Sequence, residues 1–377
     1  MAAGGAGHHP SVRRLLPGRP RPRRGHQPPA AKEVSEPLPL LDIQALQLRY
    51  TTRRGAIPAV QDVDLALERG ESLGIVGESG SGKTSLAISI MKMLPDNARI
   101  TRGHIYLDGT DLVPLSESQM RTIRWRRVSM IFQAAMNSWN PVYTVGDQIV
   151  EVIQTHEPHV SRQQARERIA ELFHLVGLAP DRMDHYPHEY SGGMKQRAVI
   201  AMALSCSPQL VIADEPTTAL DVIVQEKILQ ELDAIRRRLH MTMIYISHDV
   251  AVIAEVSDRV AVMYAGRIVE LGKASDVFKR PKHPYTAGLM AAFPSIAGAK
   301  RDLVTIPGEP PNFLDLPRGC AFHPRCPYAT EQCRAEVPTL ARAGDDHLVA
   351  CWHPVAGQDV RADFAARATA VGGERAS

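Results

Sequence analysis

Gly77-Glu78-Ser79-Gly80-Ser81-Gly82-Lys83-Thr84 decides how the rest of the chain is read. A Gly, four residues and then Gly-Lys-Thr is the spacing of a phosphate-binding loop, matched here at every fixed position. Before it, Ser72-Leu73-Gly74-Ile75-Val76 reads as a short buried strand, and after it Ser85-Leu86-Ala87-Ile88-Ser89-Ile90-Met91 reads as the start of a helix. Strand, loop and helix in that order are the context the motif requires. Glycines at 77, 80 and 82 let the backbone turn tightly and aim N–H groups at phosphate oxygens, where the positive end of the helix also points. Lys83 then sets a point charge on the β and γ phosphates, and the Thr84 hydroxyl ligates Mg²⁺.

Working outward, 377 residues at 44% apolar content can bury a sizeable core. The net charge of +3 is not spread evenly. Residues 1–37 hold seven Lys/Arg and two Asp/Glu, which leaves 37 basic against 39 acidic residues in the body. A body of that balance is not a basic nucleic-acid surface. No apolar run approaches the roughly 18 residues needed to span a bilayer, and the N-terminus has no apolar h-region. Residues 1–38, rich in Pro, Arg, Gly and His, are expected to be a disordered tail, and residues 356–377 a flexible one.

Order is expected from Leu40, where Leu41–Tyr50 alternates as an edge strand would and Ala59–Leu67 alternates again, giving a small antiparallel sheet. Gly103–Gly109 reads as another strand and turn, and Val128–Gln133 as a buried strand ending in a polar residue. From Val145 to Leu178 the period becomes helical, with Ala165, Ile169, Leu172, Phe173 and Val176 on one face. Leu210–Asp214 and Met241–Ser247 are apolar runs separated by a helix from Val224 to Leu239, the alternation of a parallel sheet with covering helices. A hairpin is expected across Ala265-Gly266.

Strand ends then supply what phosphoryl transfer needs. Asp214 can hold Mg²⁺, Glu215 can polarise the attacking water, and His248 can reach the γ phosphate. Ser191-Gly192-Gly193 caps a helix and forms a second anion-binding N-terminus.

Together these motifs resemble those of the ATP-binding cassette (ABC) ATPases. The phosphate loop, Gln133, Ser191-Gly192-Gly193, Leu210 to Glu215, Ala219-Leu220-Asp221 and His248 match that family in order, and Tyr50 matches its adenine-stacking aromatic. The resemblance implies a P-loop NTPase nucleotide-binding domain over 39–275, built of a mixed sheet core, an antiparallel β subdomain and a helical subdomain about 134–206. It implies ATP and Mg²⁺ held by Tyr50, Gly77 to Ser85, Asp214 and Asp221, with Gln133, Glu215 and His248 catalytic and Gln133 also near the metal. It further implies a head-to-tail dimer, with itself or a sister ATPase, in which Ser191, Gly192 and Gly193 of one subunit close on ATP held by the other. Tyr190 and Met194 depart from the Leu and Gln usual at the two ends of that signature.

Past Ser275 the composition turns Pro-rich and gathers Cys320, Cys326, Cys333 and Cys351. Over 40–355 the chain resembles the ATPase subunits of oligopeptide and dipeptide importers, with nickel importers as close relatives. This implies a small Cys-rich C-terminal domain over 276–355 and two integral membrane permease subunits as partners. It also implies an extracytoplasmic solute-binding protein acting indirectly, no nucleic acid, and residence at the cytoplasmic face of the membrane. Gaps of five, six and seventeen residues between the cysteines fit zinc poorly. A four-iron, four-sulfur cluster is what the resemblance implies; zinc with His323, His347 or His353, and free thiols, stay open. Cys206 reads as a small core residue. Two other readings are a cassette ATPase outside transport and a redox or metal sensor built on an ATP-binding module.

Overall fold

A computed structural model describes residues 38–133, 135–216, 222–292, 306–356, 363–364 and 366–367. Residues 1–37 of the expected tail and the segment holding Asp221 lie outside the described residues. The described residues from Leu38 onward form one compact unit.

Strands β1 (Leu41–Thr52) and β2 (Gly55–Leu67) precede β3 (Ser72–Val76), and β4 (Ala98–Leu107), β5 (Thr110–Asp111) and β6 (Val128–Ile131) follow it. Then come β7 (Leu210–Asp214), β8 (Thr242–Ile246), β9 (Arg259–Tyr264), β10 (Arg267–Lys273), β11 (Ala341–Gly344) and β12 (His347–Val349). The first sheet is antiparallel, in the order β2-β1-β4-β5. The second runs β11-β12-β10-β9-β3-β8-β7-β6, parallel from β9 to β6 and antiparallel beyond.

The alternation in Leu41–Tyr50 does not mark an edge: β1 is paired on both sides, with β2 and β4. Side-chain period reports which face is covered, whereas edge or centre is a matter of backbone pairing that leaves no period behind. The hairpin across Ala265-Gly266 joins β9 to β10.

Every residue of β3, β7 and β8 is buried, which is why these strands read as unbroken apolar runs. Alternate residues feed two cores. Ile212, Ile244 and Ile246 pack with the antiparallel sheet and with α1 (Lys83–Ile90) and α2 (Glu117–Ile123). Val211, Ala213, Met243 and Tyr245 face the opposite core. That core is covered by α3 (Val145–His156), α4 (Arg162–Leu175), α5 (Gly192–Leu204), α6 (Val222–Leu239), α7 (Val250–Val256), α8 (Ala274–Lys279) and α9 (Pro284–Ala292). In α4 the residues turned inward are Ala165, Ile169 and Phe173, with Ser161 capping its first turn through the Gln164 N–H.

Residues past 275 are woven into this frame. β12 pairs with β10 through Glu270 opposite Val349 and Leu271 opposite Leu348. Phe364, within the stretch expected to be a flexible tail, is fully buried in the helix-covered core. A short helix α10 (Glu331–Ala335) carries Cys333. Among the described residues, no helix is long and apolar enough to cross a membrane.

Candidate active site

The parallel pairing sets Ile75 beside Ile246, Ile246 beside Asp214, and Ala213 beside Ile131. The carboxyl ends of β3, β8, β7 and β6 therefore share one edge, where open α/β sheets bind ligands. The phosphate loop leaves β3 at that edge, and Gln133, Asp214-Glu215 and His248 leave the other three.

Within the loop, Gly77 (φ 153°) and Gly82 (φ 106°) have a stricter role than easing a turn. A Cβ on Gly77 would lie 2.3 Å from the Met263 carbonyl oxygen, and one on Gly82 would lie 2.4 Å from that of Ala59. Backbone from β9 and β2 thus packs directly on the loop and excludes every side chain there. α1 starts at Lys83 with no side-chain cap and no acidic residue in its first turn, so its opening N–H groups are left for an anion.

Lys83 is buried, and its Nζ donates to the carbonyls of Gly77 at 2.8 Å and Glu78 at 3.0 Å. Burial pulls its pKa below the ordinary lysine value, against the opposing pull of the Glu215, Asp214 and Glu78 carboxylates. Asp214 is buried too, and desolvation raises its pKa although the Thr84 hydroxyl donates to it. Among the described residues its Oδ1 has no hydrogen-bond partner, nor does the buried Ser81 hydroxyl. Polar atoms left unpaired beside an anion-binding loop suit a phosphate and its divalent ion, so Thr84 and Asp214 fit a Mg²⁺ ion.

Glu215 stands in the left-handed region at φ 46°, a conformation that a residue with a side chain adopts only when its surroundings hold it there. Its N–H donates to the Ile246 carbonyl at 2.9 Å. Gln133 donates from Nε2 to one carboxylate oxygen at 2.8 Å, and Nδ1 of the exposed His248 lies 3.4 Å from the other. The Tyr50 hydroxyl is 3.3 Å from that of Ser85 in α1, which leans the ring toward the loop.

Ser191 caps α5 and accepts from the Met194 N–H, with Gly192 and Gly193 in the opening turn. Among the described residues no hydrogen bond joins these three to residues 77–85. Tyr190 is buried and donates its hydroxyl to the Arg182 carbonyl, so the departure at this position is absorbed by packing.

Sequence reasoning missed two residues that hold the loop. Arg325 pairs with the Glu78 carboxylate through both guanidinium ends at 2.6 and 3.0 Å, and the Tyr285 hydroxyl accepts the Glu78 N–H at 2.8 Å. No local pattern could have found them, since more than 200 residues separate each from Glu78.

The four cysteines at 320, 326, 333 and 351 line one cavity of about 10 Å³. That is room for about one water at most. Burial raises the Cys320 thiol and pushes those of Cys326 and Cys351 up to about 12, which favours their neutral form. Among the described residues, no group of three or more His, Cys, Asp or Glu side chains is arranged to hold a metal ion. The expected cluster thus finds its thiols gathered but not opened around a centre. His323 and His353 line the same cavity, whereas His347 hydrogen-bonds Glu270 at 2.7 Å. Cys206 is buried just beyond the end of α5.

Residues 60–218 match the family model of the ABC transporter, and residues 269–333 that of the oligopeptide/dipeptide transporter C-terminal region. Over 316 residues the chain is 46% identical to the oligopeptide transport ATP-binding protein OppD of Haemophilus influenzae, covering 83% of this chain and 97% of that one. It is 45% identical over 321 residues to OppD of Bacillus subtilis, covering 84% and 89%. A putative peptide import ATP-binding protein of Brucella ovis is 47% identical over 335 residues, covering 84% and 98%. Among solved structures, the dimeric ATP-binding cassette MJ0796 bound to ADP and Pi matches with a TM-score of 0.56 at 27% identity, covering 62% of this chain and 98% of that one. The chain belongs to the ABC transporter ATPase family, in the group that carries the oligopeptide/dipeptide transporter C-terminal region.

Proposed function

We propose that this chain is the ATP-binding and ATP-hydrolysing subunit of an importer that takes up oligopeptides or dipeptides through partner membrane subunits. The observation that carries the reading is Glu215, held by Gln133 and facing His248, next in the chain to Asp214, which Thr84 hydrogen-bonds, and within electrostatic reach of Lys83. In this reading the Glu215 carboxylate takes a proton from the attacking water while Gln133 fixes the orientation of that carboxylate. The water oxygen bonds to the γ phosphorus, the bond to the ADP oxygen breaks, and His248 contacts the γ phosphate. Mg²⁺ on Thr84 and Asp214, with Gln133 near it, would neutralise charge on the phosphates. Tyr50 stacks on adenine, and residues 77–85 cradle the phosphates.

Ser191, Gly192 and Gly193 act on ATP bound by a second ATPase subunit, of this chain or a sister. That no hydrogen bond among the described residues joins them to the chain's own loop supports that role, as does the dimeric state named for the cassette MJ0796. Residues 39–275 make up the cassette, with a helical subdomain about 134–206, and 276–355 form the peptide-transporter region. The subunit sits on the cytoplasmic face of the membrane, and two permease subunits dock near Gln133. Phe132, next to it in the chain, and Val142 and Tyr143, nine and ten residues further on, are exposed and support an apolar docking face. If Gln133→Ala left ATPase stimulation and uptake unchanged in the reconstituted complex, that docking site would be wrong.

Glu215→Gln tests the catalysis. It should bind ATP and dimerise yet turn over at least ~100-fold more slowly, the scale of a lost acid–base group. Near-normal turnover rules out Glu215 as the base.

For Cys320, Cys326, Cys333 and Cys351 we propose a four-iron, four-sulfur cluster, with zinc as the alternative. That all four thiols line one cavity supports a bound centre; burial disfavours the thiolates of Cys320, Cys326 and Cys351, so loading must work against it and open the cavity. Iron, sulfide and visible absorbance of protein purified without air decide for the cluster; stoichiometric zinc decides for the alternative, and neither metal leaves free thiols.

A further inference from the structure

The Glu78 side chain is an oddity in a loop that receives a polyphosphate, because an unneutralised carboxylate there repels the ligand. Arg325 neutralises it. The guanidinium is buried and fixed on every side: Nε donates to the Pro307 carbonyl at 2.9 Å, and Nη1 and Nη2 take the two Glu78 oxygens. Its Cζ lies 5.9 Å from the centre of the Tyr264 ring. Tyr264, Tyr285 and Phe322 pack against one another with ring centres 4.6–5.4 Å apart, and fully buried Tyr285 also holds the Glu78 N–H. A planar, two-pronged partner set in such a box fixes the direction of the carboxylate as well as its charge.

We propose that Arg325 is a positioning residue for ATP binding: by clamping and neutralising Glu78 it shapes the first turn of the phosphate loop, linking the Cys320–Cys326 loop to the nucleotide. This deepens the nucleotide-site reading above and rests on it. It is independent of what the cysteines bind.

The test uses the full chain and six variants, with Kd for MgATP by titration, KM and kcat of ATPase activity, and thermal melting. Arg325→Met should raise Kd and KM about tenfold or more, the scale of a lost hydrogen-bonded charge pair, with kcat within about twofold. Glu78→Gln alone is the reference for the double variant, and adding it to Arg325→Met should recover most of the loss. A purely structural role for Arg325 predicts no such rescue, so a double variant as weak as Arg325→Met overturns the proposal. Wild-type affinity in Arg325→Met also overturns it. Should Arg325→Met melt out, Arg325→Lys carries the comparison: a rise of a few fold, removed by Glu78→Gln, is expected, and wild-type affinity overturns. Lys83→Ala separates the two levels. If it leaves ATP affinity unchanged, the nucleotide site itself is misread; if it abolishes binding while Arg325→Met does not weaken it, only this inference fails.

Discussion

Glu270 is the buried carboxylate that ties the chain past residue 280 to the main sheet. Its side chain accepts from the Lys282 N–H at 2.7 Å, the His283 N–H at 2.9 Å and His347 Nε2 at 2.7 Å, and none of it reaches solvent. In Glu270→Ala all three donors lose their acceptor in a site water does not reach. At ~1.5–3 kcal/mol for each hydrogen bond to a charged group, the loss is about 5 kcal/mol or more, a large share of a typical domain's ~5–15 kcal/mol. Glu270→Gln is milder. Its oxygen can still serve Lys282 and His347, which share Oε1, while its amide faces the His283 N–H, a cost of about 2 kcal/mol. Urea unfolding of both variants, read as a midpoint shift at unchanged slope, measures the two costs. The damage should also reach the phosphate loop, because His283 accepts from the Tyr285 N–H and Tyr285 holds Glu78. A loss under ~1 kcal/mol in Glu270→Ala would refute the reasoning, since three donors cannot be orphaned in a dry site at that cost.

Acid should expose a second buried group. Burial pushes the His283 imidazole down to about 3 from 6.5, so the unfolded chain takes up a proton below pH 6.5 that the folded one refuses. Stability is therefore lost as pH falls, by about 1.5 kcal/mol between pH 6.5 and 5, and His283→Asn, which keeps an acceptor for Tyr285, should flatten that slope in pH-dependent melts. At the nucleotide site, burial favours the protonated form of Asp214, so its contribution to the stability of the empty protein is present in acid and fades as pH rises through its raised pKa. Asp214→Asn should accordingly melt no lower than the wild type near neutral pH while its ATP binding loses dependence on Mg²⁺. A fall in melting temperature with Mg²⁺ dependence intact would contradict both parts.

By itself, the amino-acid sequence determined the features that live within a few residues. The phosphate loop, the apolar runs of β3, β7 and β8, the helical face of α4 and the Ser191 cap each leave a local period or spacing, because burial on both faces, or on one, selects residue types in order along the chain. From those strand ends the meeting of Gln133, Glu215 and His248 could be anticipated. Tertiary structure alone decided what joins segments hundreds of residues apart. The pairing of β1 on both sides, the addition of β12 to the sheet, the burial of Phe364 and the left-handed turn at Glu215 leave no period. The Arg325–Glu78 clamp depends on two sites that no local pattern relates, and closeness of the cysteines in space did not by itself give them the geometry of a metal centre. Backbone pairing and side-chain clamps of this kind are set by where whole elements come to rest, which is a property of the packed chain.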